Sequence, residues 1–565
     1  MSSHKKQKGS SGIGFIFGLV AVIVLIVGGA LALYFFKGKK ITTQDIASAE
    51  KIVALHFTAK ERKLMRENLK DNASAYEKLH KVPLPNDVPP AVQFSPVLPG
   101  MNFNKEKKPL PPLTNAAIER PANLDDLAFF PVTPLSELVR ARKVTSTELT
   151  RMYLTRLKKY GPRLECVISL TEELALAQAK RADEEISAGR YRGPLHGIPW
   201  GAKDLLATKG TKTTWGAMPY KDQIIDLNAT VVERLEQAGA VLVAKLTMGA
   251  LAWGDVWFGG KTRNPWNYDE GSSGSSAGSA SAVAAGLVGF AIGTETWGSI
   301  VSPSTRCGVT GLRPTYGRVP RSGAMALSWS MDKIGAICRS VEDCALVFEA
   351  VYGPDGKDLT VLDLPFNWDP GLDLKSLRIG YLKKAFDKDY PTKKNDEASL
   401  GVLRSLGLEL IPFDLPEHLP VEEISFILDA EAAAAFSELT LSNRDDLMVR
   451  QEKDAWPNVF RQARFIPAVE YIQANRVRTR LMEEMAVKMK SIDVYVAPSF
   501  GDNNLLLTNL TGHPAVVVPN GFTEKGTPTS ISFIGNPFEE AKTLRVAQAF
   551  QAATTFHLKH PTLKE

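Results

Sequence analysis

The apolar positions of this chain fall into three regimes. The first is an unbroken run from Ile13 to Phe36 that carries no charge. At about 1.5 Å per residue, a helix of that length spans the roughly 30 Å hydrocarbon core of a bilayer with some tilt. In the second regime, residues 43–80, Ile46, Ile52, Leu55, Leu64, Leu69 and Leu79 sit among many charges, a pattern that predicts helix. A proline-rich stretch follows, from Val82-Pro-Leu-Pro85 to Pro109-Leu-Pro-Pro-Leu113. Proline lacks an N–H and fixes φ, so this stretch reads as an extended wrap or spacer. In the third regime, from about residue 124 to the end, the pattern is globular.

Within the globular part, Leu135–Lys159 is amphipathic, but Thr145-Ser-Thr-Glu148 places a capping signal near its middle. Two helices are therefore expected there. Glu172–Ala188 reads as another helix, with Thr171 as its candidate N-cap. Ala240–Ala244 and Ser491–Ala497 are short, bounded apolar runs that fit buried strands. Strand runs alternate with helices, which favours a layered α/β domain.

Charge sharpens the picture at one end only. The net charge of +6 resides in residues 1–40, where Lys5, Lys6, Lys8, Lys37, Lys39 and Lys40 meet no acid. Beyond them, basic and acidic side chains balance at 62 each, so no nucleic-acid partner is expected. Signal-peptide apolar regions run about 7–15 residues, shorter than Ile13–Phe36, although Ala30-Leu31-Ala32 offers a weak cleavage-like triplet. The expected organisation is a basic tail (1–12), a transmembrane anchor or uncleaved signal (13–36), a helical then proline-rich extension (41–123) and a globular α/β domain (124–565). The favoured orientation puts that domain outside the cytoplasm, on the periplasmic side. Four scattered cysteines with no CxxC pair read as small buried residues and exclude a disulfide scaffold.

Candidate chemistry begins at the Gly/Ser run Gly271–Ser281. A flexible linker has no reason to open directly into the apolar segment Ala282–Ile292, whereas a tight backbone presenting hydroxyls does. Two other segments stand out. Gly197-Ile-Pro-Trp-Gly-Ala-Lys203-Asp204 sets a lysine at the end of an apolar segment, and Gly293-Thr-Glu-Thr-Trp-Gly-Ser299-Ile300 sets a serine in a turn.

Together these segments resemble the amidase-signature hydrolases. Anchored on Val283-Ala-Ala-Gly286, Ser273-Gly-Ser275-Ser276-Ala-Gly-Ser279 and Gly293–Ile300 are similar to the family's G-G-S-S-G-G-S and G-T-D-T-G-G-S-I. Further landmarks are Gly193–Pro199, Thr262–Asn267, Cys307–Arg318, Gly512–Pro519 and Ile534–Phe538, so the resemblance covers about residues 125 to 560. It implies a large mixed β-sheet covered by helices on both faces. It implies Ser299 as nucleophile, Ser275 as a bridging serine on a cis peptide, and Lys203 as base. The backbone N–H groups of Thr296, Trp297, Gly298 and Ser299 become candidates for an oxyanion hole, with Asp204 and Ser276 as supporting residues.

The residue types suit that chemistry. A serine hydroxyl needs a base, and lysine is a base only when burial or nearby positive charge lowers its pKa. The departures are Trp297 for a usual Gly, Glu295 for a usual Asp, Val301 for a common Arg and Arg306 for a usual Phe. Trp297 is expected to narrow the leaving-group side or to redirect the backbone. His196 and His513 read as structural, and no HExxH motif or Gly-Lys-Ser/Thr loop occurs, so no metal or cofactor is expected. The expected function is hydrolysis of a small linear amide through an acyl-enzyme, releasing a carboxylate and ammonia or an amine. The alternatives are the A subunit of a tRNA-dependent amidotransferase, which passes ammonia from glutamine to a partner subunit, and a non-catalytic binding protein on the same fold.

Overall fold

The structure, a computed structural model, describes residues 41–109, 111 and 118–564. The expected anchor at 13–36 lies outside these residues. Among the described residues no helix is long and apolar enough to cross a membrane. The chain divides into two units at Leu84/Pro85.

The first unit carries helices Thr43–Ile52 and Ala59–Leu79. Each begins at a threonine whose hydroxyl accepts the N–H three residues on, while that residue's carboxylate takes the threonine N–H. Arg62 joins the two helices by bonding both Glu50 oxygens, at 2.8 and 2.7 Å. One expected helical stretch is therefore two helices, parted at the Thr58 cap.

The second unit is built on one sheet of eleven strands. In chain order these are β1 (Val167–Leu170), β2 (Pro199–Lys203), β3 (Val241–Leu246), β4 (Phe290–Glu295), β5 (Thr310–Arg313) and β6 (Lys333–Cys338). They continue with β7 (Ile379–Leu382), β8 (Leu410–Phe413), β9 (Val494–Pro498), β10 (Ala515–Phe522) and β11 (Pro528–Gly535). The spatial order is β1-β3-β2-β4-β6-β5-β10-β11-β9-β7-β8. The pairs β2–β3, β2–β4, β7–β8 and β7–β9 are parallel and the others antiparallel, so the sheet is mixed as expected.

Alternate residues of a strand point to opposite faces, and both faces of this sheet are buried. Leu242, Phe290, Ile292, Ile334 and Ala336 join one apolar core with residues of helices Val132–Arg140 and Val341–Val351. Val241, Val243, Ala291 and Ile337 join another, with Ala280, Ala282, Val283 and Leu157. Farther along the sheet, Tyr495 and Ala497 pack with Leu481 and Met485 of helix Ala468–Met489.

Local signals place several elements. Helices Val132–Arg140 and Ser146–Leu164 part where expected, with Thr145 Oγ1 accepting the Glu148 N–H at 3.1 Å. Helix Glu172–Ser187 also forms, but Thr171 does not cap it through its side chain. The Thr171 hydroxyl donates instead to the Leu242 carbonyl at 2.7 Å, because β3 lies within reach. The four cysteines are free and buried. From residue 81 to 109 the proline-rich stretch forms neither helix nor strand.

Candidate active site

Lys203 ends β2, a fully buried strand whose parallel neighbours are β3 and β4. Its amine is out of reach of solvent. The Nζ lies 2.8 Å from Thr294 Oγ1, 2.9 Å from Ser275 Oγ and 3.1 Å from Ser276 Oγ. Burial lowers its pKa from 10.5 to about 7, against the Asp332 and Glu295 carboxylates, which favour the charged form. Of the two causes expected from sequence, burial acts; the neighbouring charges are negative and oppose it.

The Gly/Ser run reaches Lys203 through a cis Gly274–Ser275 peptide, and helix Ala277–Ala284 starts immediately after Ser276. Small residues let this helix press against its surroundings. A Cβ at Gly278 would come within 2.5 Å of the Cys166 carbonyl oxygen and the Thr247 nitrogen. Ser276 and Ser279 tie the run to β4. The Ser276 hydroxyl donates to the Thr294 carbonyl at 3.0 Å and accepts the Thr294 N–H at 3.1 Å, while Ser279 donates to the Ile292 carbonyl at 3.0 Å.

The turn after β4 carries Ser299, whose carbonyl accepts the Ser276 N–H at 3.2 Å. Among the described residues the Ser299 hydroxyl makes no hydrogen bond, and no acceptor takes the N–H of Trp297, Gly298 or Ser299. The left-handed backbone that the turn needs falls at Gly298, with φ +85°. Trp297 is 44% exposed, so its side chain is accommodated at the surface and the turn does not require glycine there.

Glu295 organises the turn from beneath. Its Oε2 accepts the N–H groups of Ile300 and Val301 at 2.8 and 2.9 Å. Its Oε1 accepts from Arg313 and from Asn509, both at 2.8 Å. Burial raises its pKa, but the Arg313 guanidinium and these donors outweigh it and hold the carboxyl at about 2. Asp204 supports a different region. Its carboxylate pairs with Lys245 at 3.0 Å and accepts the N–H and hydroxyl of Thr214 at 2.8 and 2.5 Å. His513 is buried with its pKa lowered to about 3, and its Nδ1 pairs with the Thr511 hydroxyl at 2.7 Å.

A cavity of about 380 Å³ reaches Thr294 and Thr296 and is lined also by Arg321, Asp332 and Lys333. Asp332 accepts the Thr296 hydroxyl at 2.6 Å and, through its other oxygen, the N–H groups of Leu327 and Ser328 at 2.8 and 3.0 Å. Sequence reasoning missed Thr294, Asp332 and Arg313. Thr294 stands inside the recognised motif and was open to notice. Asp332 and Arg313 carry no spacing signal that links them to the turn.

Residues 148–544 match the family model described as Amidase. The A subunit of glutamyl-tRNA(Gln) amidotransferase from Marinomonas sp. is 33% identical over 479 residues, covering 76% of this chain and 98% of that protein. The subunit of the same name from Acinetobacter baumannii is 34% identical over 492 residues, covering 78% and 99%. Among solved structures, the peptide amidase from Stenotrophomonas maltophilia is similar with a TM-score of 0.70 and 30% identity, covering 78% of this chain and all of that one.

Proposed function

Because the chain belongs to the amidase family, we propose that it cleaves a carbon–nitrogen amide bond through an acyl-enzyme on Ser299. The observation that carries this reading is the buried Lys203 amine, with a pKa of about 7, 2.9 Å from Ser275 Oγ.

In its neutral form Lys203 takes the Ser275 proton while Ser275 takes that of Ser299. The bond from Ser299 Oγ to the amide carbon forms as the carbonyl π pair moves onto oxygen. The N–H groups of Thr296, Trp297, Gly298 and Ser299 receive that charge; losing one such donor typically costs about 100–1,000-fold in rate. The C–N bond then breaks, and the proton held on Lys203 returns through Ser275 to the departing nitrogen. Water attacks the ester by the same relay, releasing the carboxylate and restoring the Ser299 hydroxyl.

Two readings differ in where the nitrogen goes. The curated relatives, by their names, favour an amidotransferase A subunit acting on glutamine with a partner subunit, and on sequence similarity this reading has the better support. A free-standing hydrolase of small linear amides is favoured by the likeness to a peptide amidase. The uncharged run Ile13–Phe36 also supports it, as membrane attachment with the catalytic unit on the periplasmic side would separate the site from charged tRNA.

The readings part on ammonia release. The full chain alone is incubated with glutamine and with aliphatic, aromatic and amino-acid amides, and glutamine is then repeated with partner subunits and charged tRNA. Turnover by the chain alone supports the hydrolase; release from glutamine only in the complete mixture supports the amidotransferase. In either case Ser299→Ala is expected to abolish turnover and covalent labelling by a fluorophosphonate, and labelling that persists would refute the nucleophile assignment.

A further inference from the structure

We infer that residues 86–93 of the proline-rich extension form a wall of the substrate cavity and restrict it to compact amides. The inference deepens the reading of Ser299 as nucleophile and rests on it. Asn86, Asp87, Pro89 and Gln93 line the same cavity that reaches Thr294 and Thr296. They lie ahead of residues 148–544, so the wall is an addition to the matched amidase region.

The extension is held there by specific bonds. The Asn86 side-chain amide brackets Ala326: its Oδ1 accepts the Ala326 N–H at 2.8 Å and its Nδ2 donates to the Ala326 carbonyl at 2.9 Å. A primary amide thus satisfies both backbone groups of one residue, as a neighbouring strand would. Farther along, the Phe94 ring lies 3.6 Å from the Arg478 guanidinium and 5.0 Å from the Tyr316 ring, edge-on. Arg478 is buried and donates to the Ser330 hydroxyl and carbonyl, each at 2.8 Å.

Both anchors converge on the segment that carries Asp332. Leu327, next to Ala326, gives its N–H to Asp332, and Asp332 accepts the Thr296 hydroxyl. A series of hydrogen bonds therefore runs from the wall to the turn that presents Ser299. Pro85, Pro89 and Pro90 limit the conformations open to the wall, so it resists displacement by a bulky substrate.

The test uses the full chain and two fluorophosphonates, one with an ethyl group and one with a biphenyl group. In both, a bond forms from Ser299 Oγ to phosphorus as the hydroxyl proton passes to Ser275 and on to Lys203, and the P–F bond breaks to release fluoride, so labelling reports access without knowledge of the natural amide. Asn86→Ala with Phe94→Ala releases both anchors, and Pro89→Gly with Gln93→Gly thins the wall while leaving the anchors in place. Each pair is expected to raise the biphenyl-to-ethyl ratio of labelling rates by about tenfold, the low end of what a misfitted pocket discriminates. The ethyl rate is expected to change less than about twofold, well under that pocket effect. An unchanged ratio in both pairs overturns the inference. Loss of labelling by both probes in both pairs marks a structural brace and also overturns it. If neither probe labels the unaltered protein, the Ser299 reading itself fails, and the wall with it.

Discussion

Arg313 Nη1 donates to Glu295 Oε1 at 2.8 Å, and neither side chain reaches solvent. The other Glu295 oxygen holds the N–H groups of Ile300 and Val301, so the pair fastens the Ser299 turn to β5. Removing one partner of a buried ion pair strands the other charge and typically costs about 3–5 kcal/mol. Glu295→Gln is expected to lose stability on that scale in urea denaturation, and a loss under about 1 kcal/mol would contradict this account. The pH sense follows from a folded pKa of about 2, below the ordinary 4.5. The stabilisation is complete above pH 4.5 and is lost as pH falls through about 2.

Gly298 and Trp297 in the turn are expected to respond differently to substitution. Gly298 holds the left-handed backbone, and a Cβ there would sit 3.0 Å from Leu505 Cδ2. A non-glycine residue in that region costs roughly 1–2 kcal/mol before any clash. Gly298→Ala is expected to lower kcat by at least about tenfold, the rate equivalent of that cost. Trp297→Gly leaves the left-handed position untouched and is expected to keep kcat within about tenfold of the parent. Steady-state kinetics on one amide substrate compares the two, and equal losses would show that Trp297 shapes the turn.

As the proposed base, Lys203 is expected to set the acid limb of activity. Because burial brings its pKa to about 7, kcat/KM is expected to rise with pH and level off above that value. Lys203→Met is expected to remove turnover, since it keeps the side-chain volume but has no amine to take a proton. Relative to this variant, the unaltered protein gains stability as pH rises from about 7 to 10.5, since over that interval the unfolded lysine binds a proton that the folded one does not. Melting curves across that range check the sign; a difference that stays flat would show that Lys203 is not depressed.

Asp204 neighbours Lys203 in sequence but bonds to Lys245 and Thr214. Asp204→Asn is expected to destabilise the fold by about 3–5 kcal/mol by leaving Lys245 unpaired. Below its melting temperature the variant is expected to keep the acid-limb pKa of kcat/KM unchanged. A displaced pH profile would instead place Asp204 in the proton relay.

Much of this protein is legible at short range. Thr145 and Glu148 announce the start of helix Ser146–Leu164 because a cap bonds to an N–H only three residues away. Thr171 has the same residue type but gives its hydroxyl to Leu242, 71 positions distant, so the local signal misleads. Strand order is harder still. β5 pairs with β10 across about two hundred residues, and an apolar run identifies a strand without identifying its neighbour. The exposure of the Trp297 side chain is likewise set by the surrounding fold and has no local signal.

The sequence by itself determined the residue types that carry the chemistry, their order, and the caps and turns around them, all set by bonds within a few positions of the chain. Through its resemblance to the amidase family, it also implies the roles of Lys203, Ser275 and Ser299. The tertiary structure alone decided that the Lys203 amine is desolvated, that Arg313 pairs with Glu295, and that Asn86 closes on Ala326 beside the cavity. Charge pairing and long-range hydrogen bonding depend on groups brought together from 18 positions apart for Arg313–Glu295 to 240 for Asn86–Ala326, and no local pattern encodes that proximity.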